Sequence, residues 1–174
     1  SVVSHSNSGM LGGMFNAMLV SLSFVEKSMK SVLQKTVDMI PHESEYYTVV
    51  KYAFEQCKTE KEWEEAWKKV EEKYKEYNWI HAYPNVAAEI IALWYGNDEF
   101  EKTCHIIAME GQDVDCTAAP VLNALLCMIG LETVGEHWIK PIGKNIATLM
   151  RRMRNLTIDE LCEKTVNAVR KATA

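Results

Sequence analysis

The chain has 174 residues, 48% of them hydrophobic and 25% charged, which is typical of a globular protein with one hydrophobic core. A formal net charge of -5 excludes a strongly basic surface, so we expect neither nucleic acid nor an anionic membrane as a partner. The five cysteines form no closely spaced pair, which favours reduced thiols and a cytoplasmic location over a disulfide framework.

The first predicted helix, over residues 9–24, carries a stripe of small residues at a spacing of four. The stripe consists of Gly9, Gly13, Ala17 and Ser21. Small side chains at this spacing lie on one helix face, where they would let another backbone approach closely. An amphipathic helix is predicted next, over residues 26–40, and Pro41 ends it because proline restricts the residue before it.

Helical periodicity continues to the end of the chain. Further helices are predicted over residues 44–57, 60–77, 85–95, 98–110 and 116–130, with a last one after Thr157. Two capping boxes are predicted, Thr59 with Glu62 and Thr157 with Glu160. No pair of alternating strands joined by a hairpin turn is evident. The sequence therefore predicts an all-α fold, with residues 1–174 forming one region.

An acidic motif stands out among these helices, Gly111-Gln112-Asp113-Val114-Asp115-Cys116-Thr117. Two aspartates one residue apart inside a helix would point to different sides, because helix neighbours are three or four residues apart. Proline fits best in the first turn of a helix, so Pro120 predicts a helix start near Cys116 that leaves both aspartates on a turn. Gly111 supplies the conformational freedom that such a turn requires.

Two interpretations of this motif remain open. An aspartate just before a helix is often an N-cap that complements the helix dipole. Alternatively, converging carboxylates bind a hard cation such as Mg²⁺, Mn²⁺ or Ca²⁺, with the remaining ligands supplied by water, substrate or another segment. An EF-hand is excluded, because Ala118 and Ala124 stand where that loop requires Gly and Glu.

The motif belongs to an ordered series of residues along the chain. The series comprises Ser4-His5-Ser6-Asn7-Ser8-Gly9, Asn78-Trp79-x-His81, Pro84-Asn85, Leu93, Tyr95-Gly96, Phe100, Gly111, Asp113-x-Asp115-Cys116, Ala118-Ala119 and Trp138. In this order it resembles the ADP-ribosylglycohydrolase family, whose motif reads Gly-x-Asp-Thr-Asp-Thr or -Cys. The resemblance implies an incomplete, orthogonal multi-helical domain, corresponding to the carboxy-terminal half of the family's domain.

The resemblance also implies a function. Members of this family cleave the glycosidic bond between ADP-ribose, or a related ribosyl group, and its acceptor at a centre of two Mg²⁺ or Mn²⁺ ions. Asp113 and Asp115 match catalytic metal ligands, and Cys116 takes the place of a third ligand. His5, Gly9 and Gly111 match residues that line the substrate pocket. The remaining ligands would come from residues absent from this chain, so we expect the isolated chain to be inactive and to self-associate through the face left by the missing half.

Three departures from the family pattern favour an alternative. Val114 replaces a threonine between the aspartates, and Leu122 and Leu126 stand where the family usually has glycine. Added bulk in a tightly packed place costs about 1–3 kcal/mol unless neighbours yield. The sequence therefore leaves open whether the chain belongs to an active hydrolase or is a diverged, non-catalytic helical binding module.

Overall fold

A computed structural model describes residues 2–173, which fold into nine α-helices, one 3₁₀ helix and one two-stranded sheet. The helices are α1 (Asn7–Ser23), α2 (Met29–Asp38), α3 (Glu45–Thr59), α4 (Trp63–Tyr74), α5 (Ala82–Gly96), α6 (Phe100–Met109), α7 (Val114–Ile129), α8 (Glu136–Ile142) and α9 (Ile158–Thr173). The 3₁₀ helix covers Leu131–Thr133, and the strands are β1 (Asn145–Ala147) and β2 (Asn155–Thr157). The predicted all-α class is confirmed.

The chain divides into two compact units between Thr133 and Val134. The first contains α1 to α7 and the 3₁₀ helix, and the second contains α8, the sheet and α9. The expected single region over residues 1–174 stays a prediction.

Helix α5 is the centre of the first unit. It packs against α1, α2, α3, α4, α6 and α7, and 12 of its 15 residues are buried. The run from Val86 to Leu93 explains this position, because its residues are apolar on all sides of the helix apart from Glu89. A helix without a polar face is stable in water only when other helices surround it.

Helix α6 approaches the backbone of α5 closely at Gly96. A Cβ atom added to Gly96 would lie 1.9 Å from Thr103 Oγ1 and 2.9 Å from Thr103 Cβ. Thr103 is buried, and its hydroxyl donates a hydrogen bond to the carbonyl oxygen of Glu99 at 2.7 Å. Only glycine allows this approach without displacing α6.

Helix α1 turns its large apolar residues towards the core and its small residues outwards. Leu11, Phe15 and Leu19 are buried at a spacing of four. The stripe of small residues lies elsewhere on the helix, and its members Gly13, Ala17 and Ser21 are exposed. The expected backbone approach to the stripe is therefore not seen at these three residues, because burial of the larger side chains sets the orientation of α1.

One of the two predicted capping boxes is wrong and the other is confirmed. Thr59 is the last residue of α3, where its hydroxyl donates to the carbonyl oxygen of Glu55 at 3.1 Å, a bond within the helix that competes with capping. Helix α4 begins at Trp63, and the Glu62 side chain makes no capping bond. In the second unit, Thr157 N donates to Glu160 Oε2 at 2.7 Å and Glu160 N donates to Thr157 Oγ1 at 3.2 Å.

The sheet of the second unit was not predicted. Strands β1 and β2 are antiparallel, and Ile146 pairs with Leu156 at the centre of the register. Each strand has three residues, too few for an alternating pattern to be recognised. Within residues 2–173, no helix combines the length and apolar character needed to cross a bilayer.

Candidate metal site

The loop between α6 and α7 holds two successive residues in the left-handed region. Gly111 has φ +75° and Gln112 has φ +65°. Glycine adopts these angles readily because it has no Cβ atom, whereas any residue with a side chain is strained there. Gln112 therefore stores about 1 kcal/mol or more of strain. This tight turn delivers the chain to Asp113 at the start of α7.

Helix α7 begins earlier than the sequence predicted. Asp113 is its N-cap and Val114 its first residue, whereas Pro120 lies inside the helix. The expected start near Cys116, which was argued from Pro120, is therefore wrong. An internal proline costs about 3 kcal/mol, since it lacks the N–H that would bond the carbonyl of Cys116. Burial of α7 offsets this cost, because Val121, Ala124 and Leu125 on the following turn are fully buried.

The two aspartates converge despite the early helix start. Ligand atoms of Asp113, Asp115 and Cys116 all lie within 4.8 Å of one another. Asp113 has φ -87° and ψ 69°, outside the helical region, whereas Asp115 lies in the first turn of α7. Cys116 follows Asp113 by three residues and therefore shares its helix face. Asp113 is half-buried, while Asp115 and Cys116 are exposed, so the three groups meet at the surface.

The carboxylate of Asp113 does not serve as a helix cap. Its side chain makes no capping bond to the first turn of α7. The Cys116 thiol donates to it instead, and this bond, together with the charges of both aspartates, raises the pKa of Cys116. No capping bond to the first turn of α7 occupies the Asp113 carboxylate, so the N-cap interpretation gains no support, and cation binding by the motif stays a prediction.

Asn85 anchors the motif to α5. Its side-chain oxygen accepts a hydrogen bond from Asp113 N at 3.2 Å. Its side-chain nitrogen donates to the carbonyl oxygens of Trp79 at 2.7 Å and His81 at 2.8 Å. A single buried amide therefore holds the acidic motif against the segment before α5. The sequence showed Asn85 only as part of the family resemblance, and its signal was a polar residue inside an apolar run.

The first turn of α5 also holds the start of α1. The Tyr83 hydroxyl accepts a hydrogen bond from the Ser8 hydroxyl at 3.1 Å and donates to Glu45 Oε2 at 3.0 Å. His81 is the N-cap of α5, where its Nδ1 accepts from Tyr83 N at 3.2 Å. Helix α5 thus fixes both segments that the family resemblance singled out.

His5 and Gly9 contact each other at the start of α1. A Cβ atom added to Gly9 would lie 3.2 Å from Cδ2 of the His5 ring. The His5 ring is exposed, and its Nδ1 lies 2.7 Å from the Ser4 hydroxyl. Neither residue joins the group formed by Asp113, Asp115 and Cys116. Their predicted role in substrate binding stays a prediction.

A hollow of about 270 Å³ lies beside the motif. Its lining residues are Glu71, Tyr74, Lys75, Tyr77, Trp79, Pro84 and Gln112. Trp79 is 61% exposed and Tyr77 is 40% exposed, which is high for side chains of this size. Gln112 belongs to the motif loop, and the carbonyl of Trp79 accepts a hydrogen bond from Asn85. The hollow and the acidic group are therefore both connected to Asn85 or to the motif loop. Sequence reasoning did not identify this hollow.

Comparison with known proteins decides the family. A sequence model of the ADP-ribosylglycohydrolase family matches residues 1–172. The chain belongs to the ADP-ribosylglycohydrolase family. No curated protein and no solved structure matches it. Members of this family of hydrolases are generally metal-dependent, and the Asp113, Asp115 and Cys116 group supplies donors for a divalent ion.

The departures from the ADP-ribosylglycohydrolase pattern are accommodated by packing. Leu122 is partly buried and packs against the core of the first unit. Leu126 is also partly buried, on the helix that packs against α1, α5 and α6. Val114 is half-buried in the first turn of α7. Leu122 therefore adds to the packing of the first unit, and neither leucine belongs to the acidic group.

Two buried glutamates lie near the motif: one on α5, and one immediately before the motif in the sequence. Glu89, on α5, is buried, and desolvation raises its pKa from 4.5 to about 8, although a hydrogen bond with Asn16 lowers it. Glu110 immediately precedes Gly111 and is also buried, which raises its pKa well above 4.5. Neither oxygen of Glu110 has a hydrogen-bond partner among residues 2–173. Burial therefore favours the neutral form of both side chains, and neither belongs to the acidic group of the motif.

Proposed function

We propose that this chain supplies metal ligands to a hydrolase that cleaves the glycosidic bond between ADP-ribose, or a related ribosyl group, and its acceptor. The observation that carries the proposal is the convergence of Asp113, Asp115 and Cys116 within 4.8 Å in a member of this family. Aspartate oxygens suit Mg²⁺ or Mn²⁺. A bound divalent ion supplies Lewis acidity and lowers the pKa of water.

The side chains of this chain would act mainly by positioning. Asp113 and Asp115 hold the ion, and each carboxylate has a second oxygen that can accept a proton from a nearby water. Asn85 fixes the backbone of Asp113 and thereby the direction of its carboxylate. His5 can donate to or accept from a substrate oxygen, because its ring is exposed at the start of α1.

The hollow beside the motif fits the flat part of such a substrate. The exposed ring of Trp79 is the one on which a nucleobase can stack, while Gln112 offers an amide for hydrogen bonding. The Tyr77 ring packs against His81, with ring centroids 4.5 Å apart, and borders the hollow. Pro84, which is buried in the first turn of α5, lines the hollow from the α5 side. We assign the adenine of an ADP-ribose-like ligand to this hollow.

The site needs partners from outside the group. Three donors are too few for Mg²⁺ or Mn²⁺, which take about six ligands. Within residues 2–173, no second group of three or more acidic, histidine or cysteine ligands accompanies the first. We therefore propose that residues outside this chain complete a two-metal centre and that the isolated chain has no hydrolase activity. Release of ADP-ribose by the purified chain would contradict this.

Calorimetric titration of the chain with Mn²⁺, alone and with ADP-ribose, tests the proposal. We expect weak Mn²⁺ binding that Asp113→Ala abolishes. Asp38→Asn serves as the matched control, because Asp38 is an exposed acid at the end of α2. Mn²⁺ binding that survives Asp113→Ala would reject the site. No binding of either ligand would instead favour the diverged, non-catalytic module.

The exposed stripe of small residues on α1 is a candidate surface for self-association. Gly13, Ala17 and Ser21 leave a shallow exposed face on which a second helix can lie closely. We propose that this face is covered when the domain is complete and that the isolated chain associates through it. Sedimentation velocity should show oligomers that Ala17→Glu disperses. A monomer at high concentration would contradict this.

A further inference from the structure

We infer that Cys116 biases the metal site away from Mg²⁺ and towards thiophilic divalent ions, with Zn²⁺ and Cd²⁺ bound most tightly. The inference rests on the proposed function, since it concerns the ion that Asp113 and Asp115 would hold. The family motif carries threonine or cysteine at this position, and a threonine would offer a hydroxyl oxygen. The thiol therefore changes the donor set from three oxygens to two oxygens and one sulfur.

The geometry allows all three side chains to reach one ion. Metal–carboxylate bonds of about 2.1 Å and metal–sulfur bonds of about 2.3 Å separate two ligand atoms by at most about 4.4 Å. The ligand atoms of Asp113, Asp115 and Cys116 already lie within 4.8 Å of one another. The difference is a few tenths of an ångström, and Asp115 and Cys116 are exposed, so rotation of their side chains can close it.

The chemistry of the donors determines the preference. Sulfur is a soft donor that binds Zn²⁺ and Cd²⁺ strongly, binds Mn²⁺ weakly and gives Mg²⁺ almost nothing. Two carboxylates alone would retain Mg²⁺ and Mn²⁺ binding at a modest level. The sulfur therefore adds affinity for Zn²⁺ but little for Mn²⁺ or Mg²⁺. The differences in affinity between these ions become larger than two carboxylates alone would produce.

The test titrates the full chain with Mg²⁺, Mn²⁺ and Zn²⁺ by calorimetry and with Cd²⁺ by ultraviolet absorption. A sulfur-to-cadmium charge-transfer band reports a Cys–Cd²⁺ bond directly. We expect Cys116→Thr to remove this band and to lower the ratio of Zn²⁺ to Mn²⁺ affinity about tenfold or more, while Mn²⁺ binding changes by less than about threefold. Cys116→Ser is the second variant, because it avoids a β-branched residue in the first turn of α7.

Two further variants make the outcome decisive. Cys162→Ser should keep the band, because Cys162 is the other exposed thiol and lies on α9. Asp113→Asn should weaken Cd²⁺ binding, because the carboxylate and the thiol act together. A band that persists in Cys116→Thr, or Cd²⁺ binding that is unchanged by Asp113→Asn, would overturn the inference.

The result separates the inference from the proposed function. If Mn²⁺ binding depends on Asp113 but the Zn²⁺ to Mn²⁺ ratio is the same with threonine at position 116, the inference fails and the proposed site stands. If no divalent ion binds, both fail. Circular dichroism on each variant confirms that helix content is unchanged.

Discussion

The side-chain oxygen of Asn85 accepts a hydrogen bond from the backbone N–H of Asp113 at 3.2 Å. The same amide group donates to the carbonyl of His81 at 2.8 Å, so one side chain joins the central helix, the segment before it and the acidic motif. Asn85→Ala leaves the Asp113 N–H and the carbonyls of Trp79 and His81 without this partner. We expect a loss of about 1–3 kcal/mol in the free energy of unfolding and weaker Mn²⁺ binding.

Urea denaturation and hydrogen exchange at the Asp113 amide measure this effect. The amide should exchange faster in the variant, because its acceptor is gone. Asn123→Ala is the matched control, since Asn123 is exposed on α7 and alanine favours a helix. Equal stability of the two variants would show that Asn85 does not hold the motif.

Trp79 tests the assignment of the hollow. Trp79→Ala removes the most exposed ring of its lining, and we expect ADP-ribose to bind about tenfold more weakly, within the range for a base stacked on an aromatic ring. Binding of Mn²⁺ alone should not change. Phe24→Ala removes an equally exposed aromatic ring at the end of α1 and should have no effect on either ligand. ADP-ribose affinity that is insensitive to Trp79→Ala would place the base elsewhere.

Glu89 makes stability fall as pH rises. In the folded chain its pKa is about 8, whereas in the unfolded chain the ordinary value near 4.5 applies. Between these values the unfolded state releases the proton and the folded state keeps it, so ionisation favours unfolding increasingly from about pH 4.5 to about pH 8. We expect Glu89→Gln to stabilise the chain by a few kcal/mol at pH 8 and by little at pH 5.

Thermal and urea unfolding at several pH values measure this difference. Glu110 acts in the same direction, because burial raises its pKa too. Part of the decrease in the free energy of unfolding with rising pH should therefore remain in Glu89→Gln. Glu71→Gln, at an exposed position on α4, should leave the slope unchanged. A pH profile for Glu89→Gln parallel to that of the original chain would mean that Glu89 is ionised in the fold.

Gly96→Ala tests the contact between α5 and α6. The new Cβ atom would lie 1.9 Å from Thr103 Oγ1, so the helices must separate or Thr103 must give up its bond to Glu99. We expect a loss of about 1–3 kcal/mol in the free energy of unfolding. Gly12→Ala is the control, because its Cβ atom would meet only the Tyr46 hydroxyl region at an ordinary 3.6 Å. That change should be neutral or stabilise α1 by up to about 1 kcal/mol.

Periodicity in the sequence was sufficient to predict every α-helix of the described residues except α8 (Glu136–Ile142), whose seven residues are too few for a clear helical pattern. Met29, Val32, Leu33 and Val37 recur at helical spacing, and all four are buried on α2. The Thr157 and Glu160 capping box was readable because both partners lie within four residues. Such features depend on near neighbours, and near neighbours are what a sequence shows directly.

Other features depend on contacts between distant segments and could not be predicted in this way. Pro120 was expected in a first turn, but burial of α7 against three other helices outweighs its local cost. The convergence of Asp113 and Asp115 does not need the later helix start from which it was argued, since Asp113 is the N-cap and Asp115 lies in the first turn of α7. The hydrogen bond between Asn85 and Asp113 joins residues 28 positions apart, and no local sequence pattern predicts it.

The position of the acidic motif at the amino end of α7 has a consequence for ligand order. The helix dipole places roughly half a positive charge beside Asp113 and Asp115, which partly neutralises the two carboxylates before any ion arrives. An incoming cation is therefore attracted less than two bare carboxylates would attract it, whereas the diphosphate of an ADP-ribose-like ligand would meet both the cation and the helix end favourably. Ion and nucleotide should consequently bind synergistically, each tightening the other.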